Sequence, residues 1–328
     1  MEKIHPKERF SHNERSATTS DDFLNEAVLA SGMDPRRTET RRLSGGFMNS
    51  MFLATSGAQR LVLRIYATDM ATARREFDLL RLLANRAIST PKVHALLEVR
   101  QRPLVVMEYL EGTTLEERLL SSEPPSLDVY AAIGRELAAI HRITFEKGGF
   151  LGPGAQPDGR YDLFSVFLYG YIETTLKALE CRPDRLNLAT NRRLQQLVKG
   201  KWPLVLSTEP RRQLVHTDFN PKNIMIAPGA APKIAGIVDW EFCLSGNGLI
   251  DLGNFFRFAY DYPEGAKQKL LEGYREAGGE LPSVWEDVAR LLDLGNMCSF
   301  LERREDYQKS FHTAHVVIQA TLDHFGYT

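Results

Sequence analysis

Cysteine is scarce in this chain: Cys181, Cys243 and Cys298 are the three in 328 residues. They are far apart, odd in number and form no Cys-x-x-Cys pair, which argues against a disulfide framework and a cysteine-based zinc site. Reduced thiols in a cytoplasmic protein are the expectation. Net charge is nearly absent as well, −1 from 41 basic and 42 acidic residues, so no electrostatic footprint for nucleic acid or an anionic membrane is present. No apolar run approaches the length of a membrane span. The first twenty residues are charged and lack an apolar core, unlike a secretory signal, and read as a polar arm, 1–20. Internal repeats, low-complexity blocks and signs of an obligate protein partner are all missing. What remains is an ordinary composition, 43% hydrophobic and 25% charged, with length for about two domains.

The periodicity changes along the chain. Glu39 to Leu43, Ser50 to Ala54 and Arg60 to Tyr66 are short strand-like runs separated by Gly45-Gly46 and Gly57, the pattern of an antiparallel meander. Met70 to Ala84 then places Ala73, Phe77, Leu80 and Leu83 on one helical face. Val93 to Val99 and Pro103 to Tyr109 resume strand character, so 21–111 reads as a small sheet with one helix against it. From Thr113 onward the pattern is mainly helical: Leu127 to Ile143, Leu163 to Leu179 and Leu186 to Val198 are candidates, and Pro282 suits a helix opening. Strands first and helices later indicate an α+β chain of two lobes, with a cleft between lobes as the place for a small ligand.

The densest signal is LVHTDFNPKNIMIAPGAAPKIAGIVDW, Leu214 to Trp240. His216, Asp218 and Asn223 form a His-x-Asp-x4-Asn, followed by an apolar strand, a Gly/Pro turn and a second apolar run that delivers Asp239. Such a hairpin sets Asp218 and Asn223 at one lip and Asp239 at the other. Phosphoryl transfer needs these groups: a carboxylate toward an attacking hydroxyl, and an amide and a second carboxylate for magnesium. Turn formation and helix capping are the plainer uses of the same residues.

With these pieces in order, from about Thr38 to the C-terminus, the chain resembles the kinase-like phosphotransferases of the aminoglycoside phosphotransferase and choline kinase group. That resemblance implies a protein kinase-like two-lobed fold: an N-terminal nucleotide-binding lobe, 21–111, a hinge at 107–112, and a mostly helical C-terminal lobe, 113–328. The catalytic loop would be 214–223 and the metal-binding segment 237–241. Ser44, Gly45 and Gly46 would cover phosphates, since glycine lets N–H groups approach their oxygens. Arg64 stands where the family usually has Lys; it keeps the charge and adds a fork suited to phosphate. Glu76 would pair with it. Adenine would meet Met107 and hydrogen-bond to the main chain at Glu108 and Leu110.

By the same resemblance Asp218 is the catalytic carboxylate, Asn223 and Asp239 hold Mg2+, and His216 and Asp251 support the loop. Glu241 offers itself to a second metal. The implied cofactors are ATP, or GTP, with Mg2+, and the implied partner is a small hydroxylated substrate. An excess of acids over bases from Glu241 to Thr328 suits a cationic acceptor such as an aminoglycoside or amino-alcohol; a sugar, a macrolide, choline and homoserine stay open. A nucleotide-binding pseudokinase scaffold is the rival from another class. A protein kinase is disfavoured by Asn220 in the loop, by the lack of Ala-Pro-Glu after Asp239 and by the short run from there to Asp251-Leu252-Gly253.

Overall fold

Alternation along β3 (Gln59–Ile65) decides the first layer. Leu61, Leu63 and Ile65 point to one side, and Val62 and Arg64 to the other, so this strand can be covered on both faces. The computed structural model describes residues 19–43, 49–122, 124–208, 212–229, 233–303 and 308–327. In it β3 lies inside a five-stranded antiparallel sheet with β1 (Glu39–Arg42), β2 (Ser50–Ser56), β4 (Val93–Val99) and β5 (Arg102–Glu108), in the order β1-β2-β3-β5-β4. Helix α1 (Asp21–Ala30) covers one face, where Phe23, Ala27 and Val28 pack on Phe52, Leu61, Leu63, Ile65, Leu104 and Val106. Helix α2 (Met70–Ala84) covers the other, with Ala73 and Phe77 against Val62, Tyr66, Val105 and Met107. Each large side chain buried here stabilises the fold by roughly 1.5–3 kcal/mol relative to exposure.

The helical period of Met70–Ala84 is reproduced to the residue. Helix α1 is additional to the one helix that the periodicity picked out. Its sequence does carry a start signal: Ser20 caps it by accepting from the Phe23 N–H, and Asp21 and Asp22 occupy the first turn.

By its contacts the chain divides into two compact units. One comprises Met1–Ala132, Leu151–Gln156 and Pro221–Phe242; the other comprises Ile133–Phe150, Pro157–Asn220 and Cys243–Thr328. The Leu214–Trp240 stretch therefore contributes to both. The first unit also contains a three-stranded sheet, with β10 (Ile224–Ile226) between β11 (Ile234–Ile237) and β6 (Thr113–Thr114), and α3 (Leu115–Leu120). The capping box at Thr114 and Glu117 starts α3.

The second unit takes the end of α4 (Leu127–His141), a four-stranded sheet ordered β7-β9-β12-β8, and helices α5 to α10. The strands are β7 (Thr144–Phe145), β8 (Gly149–Phe150), β9 (Arg212–Val215) and β12 (Leu244–Gly246). The helices are α5 (Phe164–Ala178), α6 (Leu188–Ser207), α7 (Leu249–Phe256), α8 (Ala266–Glu276), α9 (Trp285–Leu301) and α10 (Gln308–His324). Helix α9 is the centre of this unit, packing on α5, α6, α7 and α10.

Two boundaries differ from the sequence reading. Helix α6 runs on through Pro203 to Ser207. Helix α9 opens at Trp285 rather than at Pro282, because the Trp285 N–H closes a turn onto the Pro282 carbonyl first, at 2.9 Å. The expected arm falls mostly on 1–18, outside the described residues. Among the described residues no helix is long and apolar enough to cross a membrane.

Candidate active site

In the first unit the polar centre is Arg64. Strand alternation turns it to the α2 side with Val62 and Tyr66, and its side chain is 6% exposed. Helix α2 presents Glu76 on the same stripe as Ala73 and Phe77, so a carboxylate meets the guanidinium inside the fold: Arg64 Nη1 lies 3.2 Å from Glu76 Oε1. Arg64 Nη2 donates to Asp239 Oδ1 at 2.9 Å and to Glu241 Oε2 at 3.1 Å. The second Glu76 oxygen accepts from the Tyr66 hydroxyl. Asn49 ties the far side together: its Nδ2 donates to Glu241 Oε2 at 2.7 Å, while its Oδ1 accepts from the Ala67 N–H at 3.3 Å.

Three carboxylates thus converge on one cation. Burial pulls the Arg64 pKa down, but Glu76, Tyr66, Asp239 and Glu241 more than offset this and hold it well above its ordinary value. Burial, then the neighbouring Asp239, push Glu241 up to about 7, against the opposing pull of Arg64. Surplus negative charge on the cluster is what a divalent cation would neutralise, and Arg64 Nε is buried with no hydrogen-bond partner. Among the described residues no group of three or more His, Cys, Asp or Glu side chains is arranged to hold a metal by itself; the carboxylates converge on Arg64 and not on a common point. The donor set suits magnesium, which is bound by one or two carboxylates and completes its shell with water and phosphate oxygens.

Asn223 and Asp239 reach this region from one hairpin. Ile224 pairs with Ile237, and the Val238 N–H donates to the Asn223 carbonyl at 2.9 Å, so both residues stand at the end of the ladder away from its turn. Trp240, fully buried, anchors the exit by donating Nε1–H to the Ile237 carbonyl at 2.9 Å. Asp239 itself is left-handed, with φ of 70°, a conformation that costs a non-glycine residue about 1–2 kcal/mol.

Met107 is buried within β5. The Glu108 N–H is taken by the Lys92 carbonyl at 2.8 Å, and its carboxylate accepts from the Lys92 N–H at 3.2 Å. Leu110 covers Gly236 on β11, where a Cβ would lie 2.5 Å from Leu110 Cδ1. Ser44, Gly45 and Gly46 lie outside the described residues.

In the second unit the polar centre is Asp251, fully buried on the first turn of α7. It accepts the N–H groups of His216 at 2.9 Å and Thr217 at 2.8 Å, and its Oδ2 lies 3.3 Å from His141 Nε2. Thr217 is left-handed, φ 71°, which turns its N–H inward to Asp251. His216 Nδ1 accepts from the Asp218 N–H at 3.3 Å, which ties the ring to the loop backbone. Asp218 is half-buried, and its Oδ1 accepts from Asn220 Nδ2 at 2.7 Å. Next to it Phe219 packs against Phe255, with ring centroids 5.9 Å apart.

Two residues beyond Phe255, Arg257 makes a bidentate pair with Asp293, Nε to Oδ2 at 2.8 Å and Nη2 to Oδ1. Burial draws the Arg257 pKa down, and Asp293, with a smaller contribution from Asp218, outweighs it and raises it above its ordinary value.

The structure therefore brings Arg64, Glu76 and Asp239 together, with Asn223 at the Asp239 end of its hairpin, and separately brings His216, Asp218 and Asp251 together. Glu241 is bound to Arg64 and Asn49. Sequence reasoning passed over Asn49, Tyr66, His141 and the Arg257–Asp293 pair. Tyr66 was within reach, since alternation puts it on the Arg64 face; the others are joined only by tertiary contacts. Several acids of the excess beyond Glu241 are paired in place: Glu286 with Lys267 and Arg290, Glu272 with Lys269, Asp287 with His324 and Asp293 with Arg257.

Aminoglycoside phosphotransferase APH(4)-Ia, solved in a ternary complex with ADP and hygromycin B, superimposes with a TM-score of 0.63 at 17% identity, covering 92% of this chain and 98% of that one. The ethanolamine kinase of Plasmodium vivax superimposes with a TM-score of 0.61 at 13% identity, covering 90% and 86%. At such identities the likeness is one of fold, and the fold is the α+β, protein kinase-like one. Among curated proteins, mouse acyl-CoA dehydrogenase family member 10 is 27% identical over 207 residues, 62% of this chain and 18% of that protein. Human acyl-CoA dehydrogenase family member 11 is 23% identical over 280 residues, 81% of this chain and 34% of that protein. The chain thus spans about a fifth to a third of the length of these relatives. The sequence model of the phosphotransferase enzyme family (APH) matches residues 39–291, more than half of the chain, and the chain belongs to that family.

Proposed function

We propose that this chain is an ATP-dependent, magnesium-dependent O-phosphotransferase acting on a hydroxyl of a small molecule. The observation that carries the reading is the buried Arg64, fixed by Glu76 and directed at Asp239 beside the end of the hairpin that bears Asn223. ATP would supply the phosphoryl group, and Mg2+ held by Asn223 and Asp239 would neutralise its charge. Arg64 offers a fixed cation to phosphate oxygens, and Glu76 keeps its side chain extended and charged. Met107 and the main chain at Glu108 and Leu110 would hold the base.

Asp218 accepts a hydrogen bond from the acceptor hydroxyl, aims it and takes its proton late. Positioning and charge stabilisation matter most for so loose a transition state. Asp251 and His216 hold the Asp218 loop in shape.

Hygromycin B and ethanolamine, named for the two structural neighbours, support a hydroxylated acceptor of the aminoglycoside or amino-alcohol type. The pairing of the C-terminal acids favours sugars and other neutral acceptors equally. A second reading follows from the names of the curated relatives: the hydroxyl belongs to an acyl-CoA-type molecule, and such compounds belong in any acceptor panel.

The test is paired. Asp218→Asn should keep Mg-ATP binding while turnover falls on the order of 10²–10⁴-fold. Asp239→Ala should lose the magnesium-dependent part of nucleotide binding along with turnover. Wild-type protein that binds nucleotide yet transfers phosphate to no hydroxylated acceptor, water included, would replace this reading with the scaffold.

A further inference from the structure

We propose that the cavity at the C-terminal end of α4 is a second binding site, for a small molecule bearing a phosphoryl or carboxylate oxyanion, and that its occupancy is transmitted to the loop carrying Asp218. The cavity has a volume of about 440 Å³ and lies wholly within the second unit. That size falls within the range of small-molecule sites, roughly 300–1,000 Å³. Its walls include Arg142, Arg212, Gln213, His141 and Tyr274, with the Gly278-Gly279-Glu280 loop at the rim.

The two arginines make it an anion site. Among the described residues each guanidinium donates to one carbonyl: Arg142 Nη1 to Ala277 O at 2.5 Å, and Arg212 Nε to Asp162 O at 2.7 Å. The remaining N–H groups of each planar fork suit an oxyanion, which they can bind bidentately. The Gly278-Gly279 turn keeps the rim close to the wall: a Cβ at Gly279 would lie 2.2 Å from the Tyr274 ring. Glu280 at the rim limits the net positive charge and disfavours highly charged polyanions.

Two links run from this cavity to the loop. His141 receives Tyr274 OH at Nδ1, 2.8 Å, and places Nε2 against Asp251 Oδ2; that same carboxylate holds the N–H groups of His216 and Thr217. Gln213 donates Nε2–H to the His141 carbonyl at 3.1 Å and accepts the Gly248 N–H at 3.2 Å, and it stands on β9, three residues before His216. A ligand that draws on the Tyr274–His141 pair or on Gln213 changes how firmly Asp251 grips the loop, which is a differential interaction of the kind coupling requires.

The experiment uses the full chain without nucleotide or magnesium, at constant ionic strength. Inorganic phosphate and acetate are titrated by calorimetry as the phosphoryl and carboxylate probes, and amide hydrogen exchange is followed over 213–218. The expected result is saturable binding of one or both probes, weakened roughly tenfold or more by Arg142→Gln and by Arg212→Gln, unchanged in Asp239→Ala, with slowed exchange at the Thr217 amide on binding. Absence of saturable binding overturns the site. So does binding indifferent to both arginine variants but tightened in Asp239→Ala, which frees Arg64 of a competing carboxylate and would put the anion on the nucleotide side. Binding that leaves exchange at Thr217 unaltered overturns the coupling. None of these readouts needs turnover, so failure of the transferase reading would show separately, in the acceptor assays.

Discussion

Asp251→Asn is the sharpest structural perturbation available. The wild-type carboxylate is fully buried and accepts two backbone N–H groups on separate oxygens, at 2.9 and 2.8 Å, beside His141 Nε2. Hydrogen bonds to a charged acceptor contribute about 1.5–3 kcal/mol each. An asparagine in the same rotamer retains one acceptor oxygen and turns an NH2 toward the other N–H. One charge-assisted bond is lost, the other is weakened, and a buried donor faces a donor. The loss should total about 3–5 kcal/mol, a large share of the 5–15 kcal/mol that holds an ordinary domain folded. Urea unfolding followed by circular dichroism, with the slope compared to wild type, reads this directly, and amide exchange at His216 and Thr217 should accelerate more than exchange elsewhere in the second unit. A destabilisation below about 1 kcal/mol, with those two amides still protected, would mean that Asp251 does not brace the loop and would remove the basis for the transmission argued above.

Other outcomes follow from the same network. Arg64→Ala leaves Glu76 buried without its cation and should cost about 3–5 kcal/mol of stability as well as weaken nucleotide binding; Arg64→Lys should recover part of both, and wild-type melting and nucleotide affinity in Arg64→Ala would refute its role. Glu241 is pushed up to about 7 by burial and then by Asp239, so the folded state binds its proton more tightly than the unfolded chain does; its contribution to stability is fullest below about pH 4.5 and declines as pH rises toward 7. Unfolding free energies measured across that window should therefore fall more steeply in wild type than in Glu241→Gln, and identical slopes would contradict the assignment. Gly253→Ala would set a Cβ 2.4 Å from the Ala289 carbonyl, forcing α7 from α9 at a cost of about 1–3 kcal/mol; an unchanged melting temperature would show that this contact is looser than described.

Much of the fold and of the site was legible because short-range patterns carried it. The run of Met70 to Ala84 reads as a helix from its apolar spacing alone, and strand, turn, strand between Asn223 and Asp239 is written in two apolar runs around a Gly/Pro break. The fate of Arg64 was less legible: alternation says that it shares a face with Tyr66, but whether that face meets water or α2 depends on packing across the sheet. Helix α1 escaped notice because its buried stripe is only Phe23, Ala27 and Val28, shorter than the two full turns over which a period stands out. His141 and Asp251 are 110 positions apart, and nothing local in either segment signals the other. The small strands Thr113–Thr114 and Gly149–Phe150 owe their extended form to partners elsewhere, so propensity was silent about them.

The left-handed backbone at Thr217 and Asp239 has a bearing on engineering for heat resistance. A β-branched threonine and an aspartate both hold a geometry that glycine would adopt without steric penalty. A programme that relieved them one at a time could find variants that tolerate more heat. Each would also give up a group that the chain now aims: glycine at 239 removes the carboxylate that faces Arg64, and glycine at 217 loosens the amide held by Asp251. Screens that select on melting temperature alone would drift toward sturdier proteins with slacker aim, and these two positions are the ones to hold fixed while the rest of the surface is optimised.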